Sequence, residues 1–525
     1  EVAHALARQG RRDFGSVTRL REVYDLVVVG GGVSGLAAAY YYRQQHPRAK
    51  ILLLDNHDDF GGHAKRNEFL VGGRRLIGYG GSQTMESPSA YSNVAKELLQ
   101  ELAVNVSAFE TYYDSGFYER HGLTGGVFFD RETYGRSAFV GVNLFGASDF
   151  LGLAPGRLDA AGAAAAMPLD AEDRRALTRL LTGSSDAVAN VGLLDLPGYL
   201  SSISYLTFIK QHLGIVSPAL INLLHDLPSG YFGIGIDQIP ALDALLAGMP
   251  GGQHLGVPGF QWLRSLLGGL ADPYIHHFPD GNASIARLLV RSLVPEVVTA
   301  VQPDEVVTAQ FDYGQLDVAA HNVRIRLNST AIGVTQRDKQ VEVRYVNNGK
   351  AYAVQAKHCV LACYNAIIPY LCPELPAAQK QALSLQVKVP LVYTNVVLRN
   401  WRALRELGIG QCFAPNMFHQ MMMVDFPVSM GAYRYPRNPE DPMVLHLSSA
   451  FGVSGLAPAD QFRAGRARLL GTSYAEIEAD IVNFLDQLLG DADFKATRDI
   501  AAITVNRWPH GYADAAIRCM IPVSY

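Results

Sequence analysis

The sequence predicts an α/β fold: a Rossmann-type parallel sheet, completed late in the chain, joined to a discontinuous α+β domain. Three observations carry this. Asp25-Leu26-Val27-Val28-Val29 is a short apolar, β-branched run of the kind found in strands buried on both faces. It runs directly into Gly30-Gly31-Gly32-Val33-Ser34-Gly35, which fits G-x-G-x-x-G, and a helical segment continues through Leu36-Ala37-Ala38-Ala39-Tyr40. A second apolar run, Ile51-Leu52-Leu53-Leu54, then ends on Asp55.

Each position has a physical reason. Gly30 allows the tight turn, Gly32 lets the backbone approach a pyrophosphate, and Gly35 lets the helix pack close to the strand. Ser34 belongs to the same phosphate-facing turn. Asp55 closes the second strand 20 residues past Gly35, where a carboxylate accepts hydrogen bonds from a ribose. Together these make a Rossmann-type fingerprint; a purely structural glycine turn is the competing reading. The residues after Asp55 are Asn56-His57-Asp58-Asp59, with no Arg among them, so a ribose 2′-phosphate would be repelled. NADP is disfavoured, and FAD or NAD fits.

The chain has 525 residues, enough for a large core and two or more domains. Apolar content of 49% and charged content of 18% describe an ordinary globular protein, and a net charge of −4 argues against a nucleic-acid partner. Five Cys form no C-x-x-C pair, which disfavours zinc ribbons and covalently attached haem. No apolar run reaches the length of a spanning helix. The chain opens on Glu1 rather than Met, which reads as a processed or trimmed chain. Arg11-Arg12-Asp13-Phe14 has twin-arginine spacing but no apolar stretch behind it, so it reads as a surface basic cluster.

After Asp55 come Phe60-Gly61-Gly62-His63-Ala64-Lys65-Arg66 and Gly78-Tyr79-Gly80-Gly81-Ser82. Paired glycines bring backbone N–H groups close to a ligand, and Lys65 or Arg66 would neutralise phosphate charge; two tight turns with a solvated basic pair is the alternative. Residues 91–275 read as a mostly helical insertion on the substrate side. Asn282 is placed to cap a helix through Leu293, closed by Pro295. Alternating runs at Val323–Leu327 and Val341–Tyr345 read as strands, with Asn348-Gly349 as a hairpin turn. Further strands are expected around Leu391–Val397 and Val444–Leu447. Ser473 and Glu476 make a capping box for a helix whose Ile477, Ile481, Phe484, Leu485 and Leu488 share one face, ended by Gly490. The expected division is 1–90, 276–372 and 471–525 for the dinucleotide domain, and 91–275 with 373–470 for the substrate domain.

Beyond these local signals the chain resembles the FAD-dependent spermidine dehydrogenases, a bacterial branch of the flavin amine oxidase superfamily. The matching stretches include YDLVVVGGGVSGLAAAYYYRQ, LLLDNHDDFGGHAKRNEF, GYGGSQTMESPSAYS, YIHHFPDGNASIARLLVR, PLVYTNVVLRNWRA and ITVNRWPHGY. With the others they run along nearly the whole chain to Tyr512. The resemblance implies an FAD-binding domain of the glutathione-reductase type. It also implies oxidation of a small-molecule polyamine, by hydride transfer to flavin N5 and hydrolysis of the imine. Members of the family are also described as containing haem b, with His the ligand type. The family further implies a bacterial periplasmic or membrane-associated setting. The electron acceptor is not marked.

Carried over residue by residue, Gly30, Gly32 and Gly35 match the phosphate turn and Asp55 the ribose acid. Gly61, Gly62, Gly80, Gly81 and Ser82 match the flavin-side glycine motifs, and Val334 the strand whose backbone meets the adenine. Lys388 stands just before Pro390-Leu391-Val392-Tyr393, where flavin amine oxidases place a lysine that holds a water against flavin N5. Trp508 resembles an aromatic that walls the amine site. A lysine at a strand edge and a core Trp are the competing readings. Asp237 and Asp130 are candidates for a distal ammonium group.

The sequence departs from the family after Tyr512: a glycine-rich strand that covers the isoalloxazine is missing before Ala513-Asp514-Ala515-Ala516-Ile517. The expectation that follows is a weaker grip on the flavin end than on the ADP end. The second reading of function, accordingly, is a catalytically impaired flavoprotein or dinucleotide-binding relic.

Overall fold

The structure is a computed structural model describing residues 2–145, 156, 158–257, 260, 272–299 and 302–512. The stretch after Tyr512, where the flavin-covering block is expected to be missing, lies outside the described residues. β1 (Val17–Val29) and β2 (Ile51–Leu54) are the two apolar runs, joined by the helix Val33–Gln45 and paired in parallel with Val27 opposite Leu52. The last four residues of β1 and all four of β2 are buried, which is why neither shows an alternating pattern. A hairpin of β3 (Arg66–Val71) and β4 (Arg74–Tyr79) then delivers the chain to Gly80-Gly81.

β5 (Thr124–Phe129) and β6 (Ala138–Val140) begin a second sheet. Short helices follow, among them Ala171–Thr182, Tyr205–Leu213 and Pro218–His225, around one apolar core that includes Leu177, Phe208, Leu223 and Ile236. The chain returns to the first sheet through the helix Ala283–Leu293. Asn282 stands at its N-terminus, but its side chain donates instead to Ser82 Oγ (2.8 Å) and Thr84 O (2.9 Å). Asp280 takes over the first turn by accepting from Ser284 N at 3.2 Å.

β7 (Val323–Arg326) lies parallel beside β2, while β8 (Ser329–Arg337), β9 (Gln340–Asn347) and β10 (Lys350–Leu361) form a meander whose last strand runs parallel beside β1. The sheet order is β7-β2-β1-β10-β9-β8. Asn348 and Gly349 make the β9–β10 turn with φ of 48° and 74°, the left-handed pair that a two-residue hairpin needs.

The second sheet is completed by β11 (Val389–Leu398), β12 (Ile409–Phe413), β13 (Met421–Val424), β14 (Met443–Ala450) and β15 (Ile500–Tyr512), in the order β15-β11-β14-β13-β12-β5-β6. The helix Tyr474–Leu489 starts on the Ser473/Glu476 capping box and buries Ile477, Ile481, Phe484, Leu485 and Leu488 in the core of this sheet, with Trp401 and Leu445. One boundary needs correction. Residues 471–512 do not join the dinucleotide sheet; β15 pairs with β11 from Tyr512 opposite Val389 to Ile500 opposite Leu398. Such pairing between distant segments is set by tertiary register, which no local pattern encodes.

The two units meet along β3 and β4. Leu76 packs with Val397 and Val444, and Asn67 Oδ1 accepts from both Asn395 Nδ2 and Asn506 Nδ2 at 2.8 Å. Among the described residues no helix is long and apolar enough to cross a membrane.

Candidate active site

The site is built from three glycine turns stacked at the carboxyl ends of β1 and β2. Gly30 has φ +111°, and a Cβ there would overlap the Ala362 carbonyl. A Cβ on Gly35 would overlap the Gly30 carbonyl oxygen, so the helix Val33–Gln45 reaches β1 only because position 35 is glycine. The Gly61-Gly62 turn docks on the first: Gly61 N donates to Gly31 O at 2.8 Å, and a Cβ on Gly62 would stand 3.1 Å from Gly32 Cα. Ser34 is exposed in the first helical turn, where an α-helix leaves its N–H groups without an internal acceptor.

Asp55 is buried behind this turn. Its Oδ2 accepts from Gly31 N (2.7 Å) and its Oδ1 from His57 N (2.8 Å), which leaves each oxygen a lone pair for a further donor. Burial pushes its carboxyl above the usual range despite those bonds. Val334 is buried in the core cluster that holds Val29 and Leu54, the residues at the ends of β1 and β2.

The basic pair does not face this turn freely. Lys65 Nζ lies 3.3 Å from Asp58 and 3.8 Å from Asp59. Arg66 pairs with Asp280 at 2.6 Å and Glu68 at 2.5 Å, and donates to Val307 O. Both cations therefore stand on carboxylates, Arg66 on the buried Asp280 and Lys65 on the largely exposed Asp58.

The third turn, Gly80-Gly81-Ser82, lies under β15. Trp508 Nε1 donates to Gly80 O at 2.6 Å, and Ser82 N donates to His63 O at 2.9 Å. A Cβ on Gly81 would sit 2.8 Å from Trp508 Nε1, so only glycine lets the indole settle there. The His63 ring meets the indole edge-on at 4.8 Å. Lys388, at the start of β11, holds its ammonium 5.7 Å from the Tyr364 ring, which stacks on His510 at 4.0 Å; Arg466 lies 3.4 Å from His510 Nδ1. No ion pair to Lys388 is formed among the described residues. Burial and the Lys388 charge hold His63 below the usual imidazole range, and burial with Arg466 and neighbouring cations pushes His510 down to about 4. Both rings are therefore neutral at physiological pH.

Behind Gly80 lies a buried aromatic cluster. Tyr79 stacks on His446 at 3.9 Å and meets Tyr393 edge-on at 5.5 Å; His277 stacks on Phe426 at 4.0 Å. His446 Nε2 and Asp425 Oδ1 form a buried pair at 2.8 Å, and burial pushes the Asp425 carboxyl up. Burial also holds His277 down to about 3. Asp130 and Asp237 take no part here. Asp130 caps Thr133 N at 2.7 Å, and Asp237 holds Gly455 N at 2.9 Å.

Residues 28–102 match a family model described as an NAD(P)-binding Rossmann-like domain. The fold is Rossmann-like. Among solved structures, an assigned protoporphyrinogen oxidase from Exiguobacterium sp. 255-15 is 14% identical with a TM-score of 0.53, over 97% of this chain and 92% of that one. A putrescine oxidase double mutant is 16% identical with a TM-score of 0.47, over 96% and 91%. Cyclohexylamine oxidase from Brevibacterium oxydans IH-35A is 15% identical with a TM-score of 0.47, over 94% and 89%. At these identities likeness bears on fold alone. Comparison with curated proteins finds no match. Among the described residues no group of three or more His, Cys, Asp or Glu could hold a metal ion.

The sequence reading singled out Lys388 and Trp508 but not His63, Tyr364, His510 or Arg466, which stand with them around the Rossmann-like domain's glycine turns. His63 follows Gly61-Gly62 and His510 follows Trp508 by two positions, so proximity to a motif was the available signal. Tyr364 and Arg466 had none.

Proposed function

We propose that the chain is a flavin-dependent oxidoreductase that holds FAD and oxidises an amine, with a spermidine-like polyamine as substrate. The observation that supports this best is the seating of Trp508 of β15 on the Gly80-Gly81 turn, with His63 against the same indole and the charge of Lys388, just before β11, acting on His63. The residues fit the cofactor. Two glycine turns pack too closely for any Cβ, the first-turn N–H groups of Val33, Ser34 and Gly35 are available to a pyrophosphate, and Asp55 retains acceptor capacity for a ribose. The additional loop Gly80-Gly81-Ser82 under Trp508 supports FAD over NAD. FAD, when bound, supplies the hydride acceptor that protein side chains lack.

The chain's own residues supply the surroundings. Among the described residues no carboxylate pairs with the Lys388 ammonium, which suits its Nζ to holding a water or passing a proton. Neutral His63 and His510 near it add no positive charge that would repel a cationic substrate. Trp508 and Tyr393 are aromatic side chains near this turn, and an aromatic wall excludes water and favours an alkylamine. Arg466 beside His510 makes an α-amino acid the competing substrate.

The test has two steps. The full-length protein is denatured and the released nucleotide identified; FAD is expected, and NAD or no dinucleotide from folded protein would refute the cofactor. The flavin spectrum is then followed anaerobically with spermidine, a monoamine and an α-amino acid. Bleaching fastest with spermidine is expected, and faster reduction by the amino acid would refute the polyamine assignment.

A further inference from the structure

A cavity of about 620 Å³ lies between the helix Pro218–His225 and the loop after β14, lined among others by His225, Asp226, Ser454, Lys210, Arg468 and Val453. The amine chemistry above makes no use of it. On its wall three side chains stand in line: Asp226 Oδ1 is 2.6 Å from His225 Nδ1, and Ser454 Oγ is 2.7 Å from His225 Nε2. Carboxylate on Nδ1 and hydroxyl on Nε2 is the order that turns a serine into an acyl acceptor.

The surroundings fix that order. Gln420 Nε2 donates to the other oxygen of Asp226 at 2.6 Å. Gly235 lies flush against the imidazole, where a Cβ would stand 2.5 Å from His225 Cε1. Ser454 itself is exposed on a loop that turns at Gly455 with φ +81°, and Asp237 Oδ2 anchors that turn by accepting from Gly455 N (2.9 Å) and Gln461 Nε2 (3.2 Å). The N–H groups of Gly452, Val453 and Ser454 meet no protein acceptor among the described residues, so the loop has donors for a developing oxyanion.

We propose that this wall is a second catalytic site, separate from the redox site, at which Ser454 is the nucleophile for hydrolysis of a carboxylic ester. Ser454 Oγ attacks the ester carbonyl carbon as its proton passes to His225 Nε2. The carbon–oxygen bond to the alcohol breaks, and the same proton goes to the departing alkoxide. Water then attacks the acyl-serine, giving a proton through His225 back to Ser454 Oγ and releasing the carboxylic acid. No oxidant or metal enters the balance. Lys210 and Arg468 on the same cavity favour an acyl group that carries a negative charge.

The site has a distinctive pH dependence. His225 is faced by Asp226 at its own helix end, by Asp237 Oδ1 at 3.4 Å from the following turn and by neutral Ser454 from the loop, with Lys210 and Arg468 the cations on the cavity. Burial pulls the imidazole down, but the two carboxylates outweigh it and push it up to about 10. The ring therefore keeps its proton at neutral pH and becomes a base only as pH rises toward that value. Ester hydrolysis should climb by about tenfold per pH unit toward pH 10 and then level off.

The experiment uses the full-length protein with 4-nitrophenyl acetate across that pH range, and a fluorophosphonate probe whose attachment site is mapped by mass spectrometry. The probe is expected on Ser454, and Ser454→Ala, a change on an exposed loop, should lose at least roughly a hundredfold of the rate above the buffer blank. Asp237→Asn, which removes one of the two carboxylates from His225, should raise the rate near neutral pH several-fold and move the profile to lower pH. A loop anchor of purely structural value would instead lower the rate at every pH. Unchanged hydrolysis in Ser454→Ala, labelling at another residue, or a profile unmoved in Asp237→Asn would overturn the proposal. Flavin reduction by amines in Ser454→Ala reads the redox site independently.

Discussion

Lys388 shows how much a single residue's neighbours decide. Its ammonium faces the Tyr364 ring and two histidines held neutral, without an ion pair among the described residues. A cation kept unpaired beside a ligand cradle has its charge available for chemistry rather than spent on structure. Lys388→Met is expected to slow flavin reduction by amines strongly while flavin content and substrate binding stay near those of the parent, because the role proposed for the charge lies in the reacting step. Equal reduction rates in the two proteins, measured by anaerobic stopped flow, would remove Lys388 from that role. Gly35 carries the opposite lesson, since only backbone geometry matters there. Gly35→Ala should cost about 1–3 kcal/mol of stability, the usual penalty for overpacking, and release the dinucleotide, because the new methyl overlaps the Gly30 carbonyl. Chemical denaturation and nucleotide content read the two effects separately.

Among the elements, the helix Tyr474–Leu489 is the one whose sequence and structure agree most fully, and it carries a testable liability. Its capping box is formed, with Glu476 N donating to Ser473 Oγ and Ser473 N donating to Glu476 Oε2. Ser473→Ala should therefore cost about 1 kcal/mol. On the same helix Asp480 has one carboxylate oxygen buried without a hydrogen-bond partner among the described residues, and burial pushes the group up to about 6. An acid whose pKa is higher folded than unfolded contributes stability that is complete below its unfolded pKa and is lost as pH rises through the folded value. Stability relative to Asp480→Asn should thus fall between about pH 4 and pH 6, and at neutral pH the variant should be the more stable, by on the order of 2 kcal/mol. Denaturant midpoints at matched pH values decide it; a constant difference across that window would exclude Asp480 as the cause.

At the scale of the whole molecule, the candidate redox site exists only where two sheets meet. The first sheet brings the glycine turns and Asp55, the second brings Lys388 and Trp508, and the β3–β4 hairpin holds them in register through Asn67. Asn67→Ala leaves Asn395 and Asn506 without their shared acceptor. It should loosen the junction enough to slow amine-dependent flavin reduction while the separate units keep their secondary structure, by circular dichroism. A variant indistinguishable from the parent in both readouts would show that apolar packing of Leu76 with Val397 and Val444 suffices.

The glycine turn was legible in the sequence because its parts lie within one βαβ unit, where Gly30 takes φ +111° and a Cβ on Gly35 would meet the Gly30 carbonyl. The hairpin turn at Asn348-Gly349 and the capping box at Ser473 were legible for the same reason: their energetics are settled within a few residues. The tertiary structure alone decided the rest. Arg66 looked like a phosphate ligand until folding brought Asp280 beside it, and the side chain of Asn282 left its helix cap for Ser82. β15 joined β11 rather than the dinucleotide sheet, and the environment of Lys388 comes from Tyr364, His510 and His63, three separate stretches of chain. Charge pairing and strand register depend on which distant groups share a low-dielectric space, and that is a property of the packed molecule that no local stretch of sequence contains.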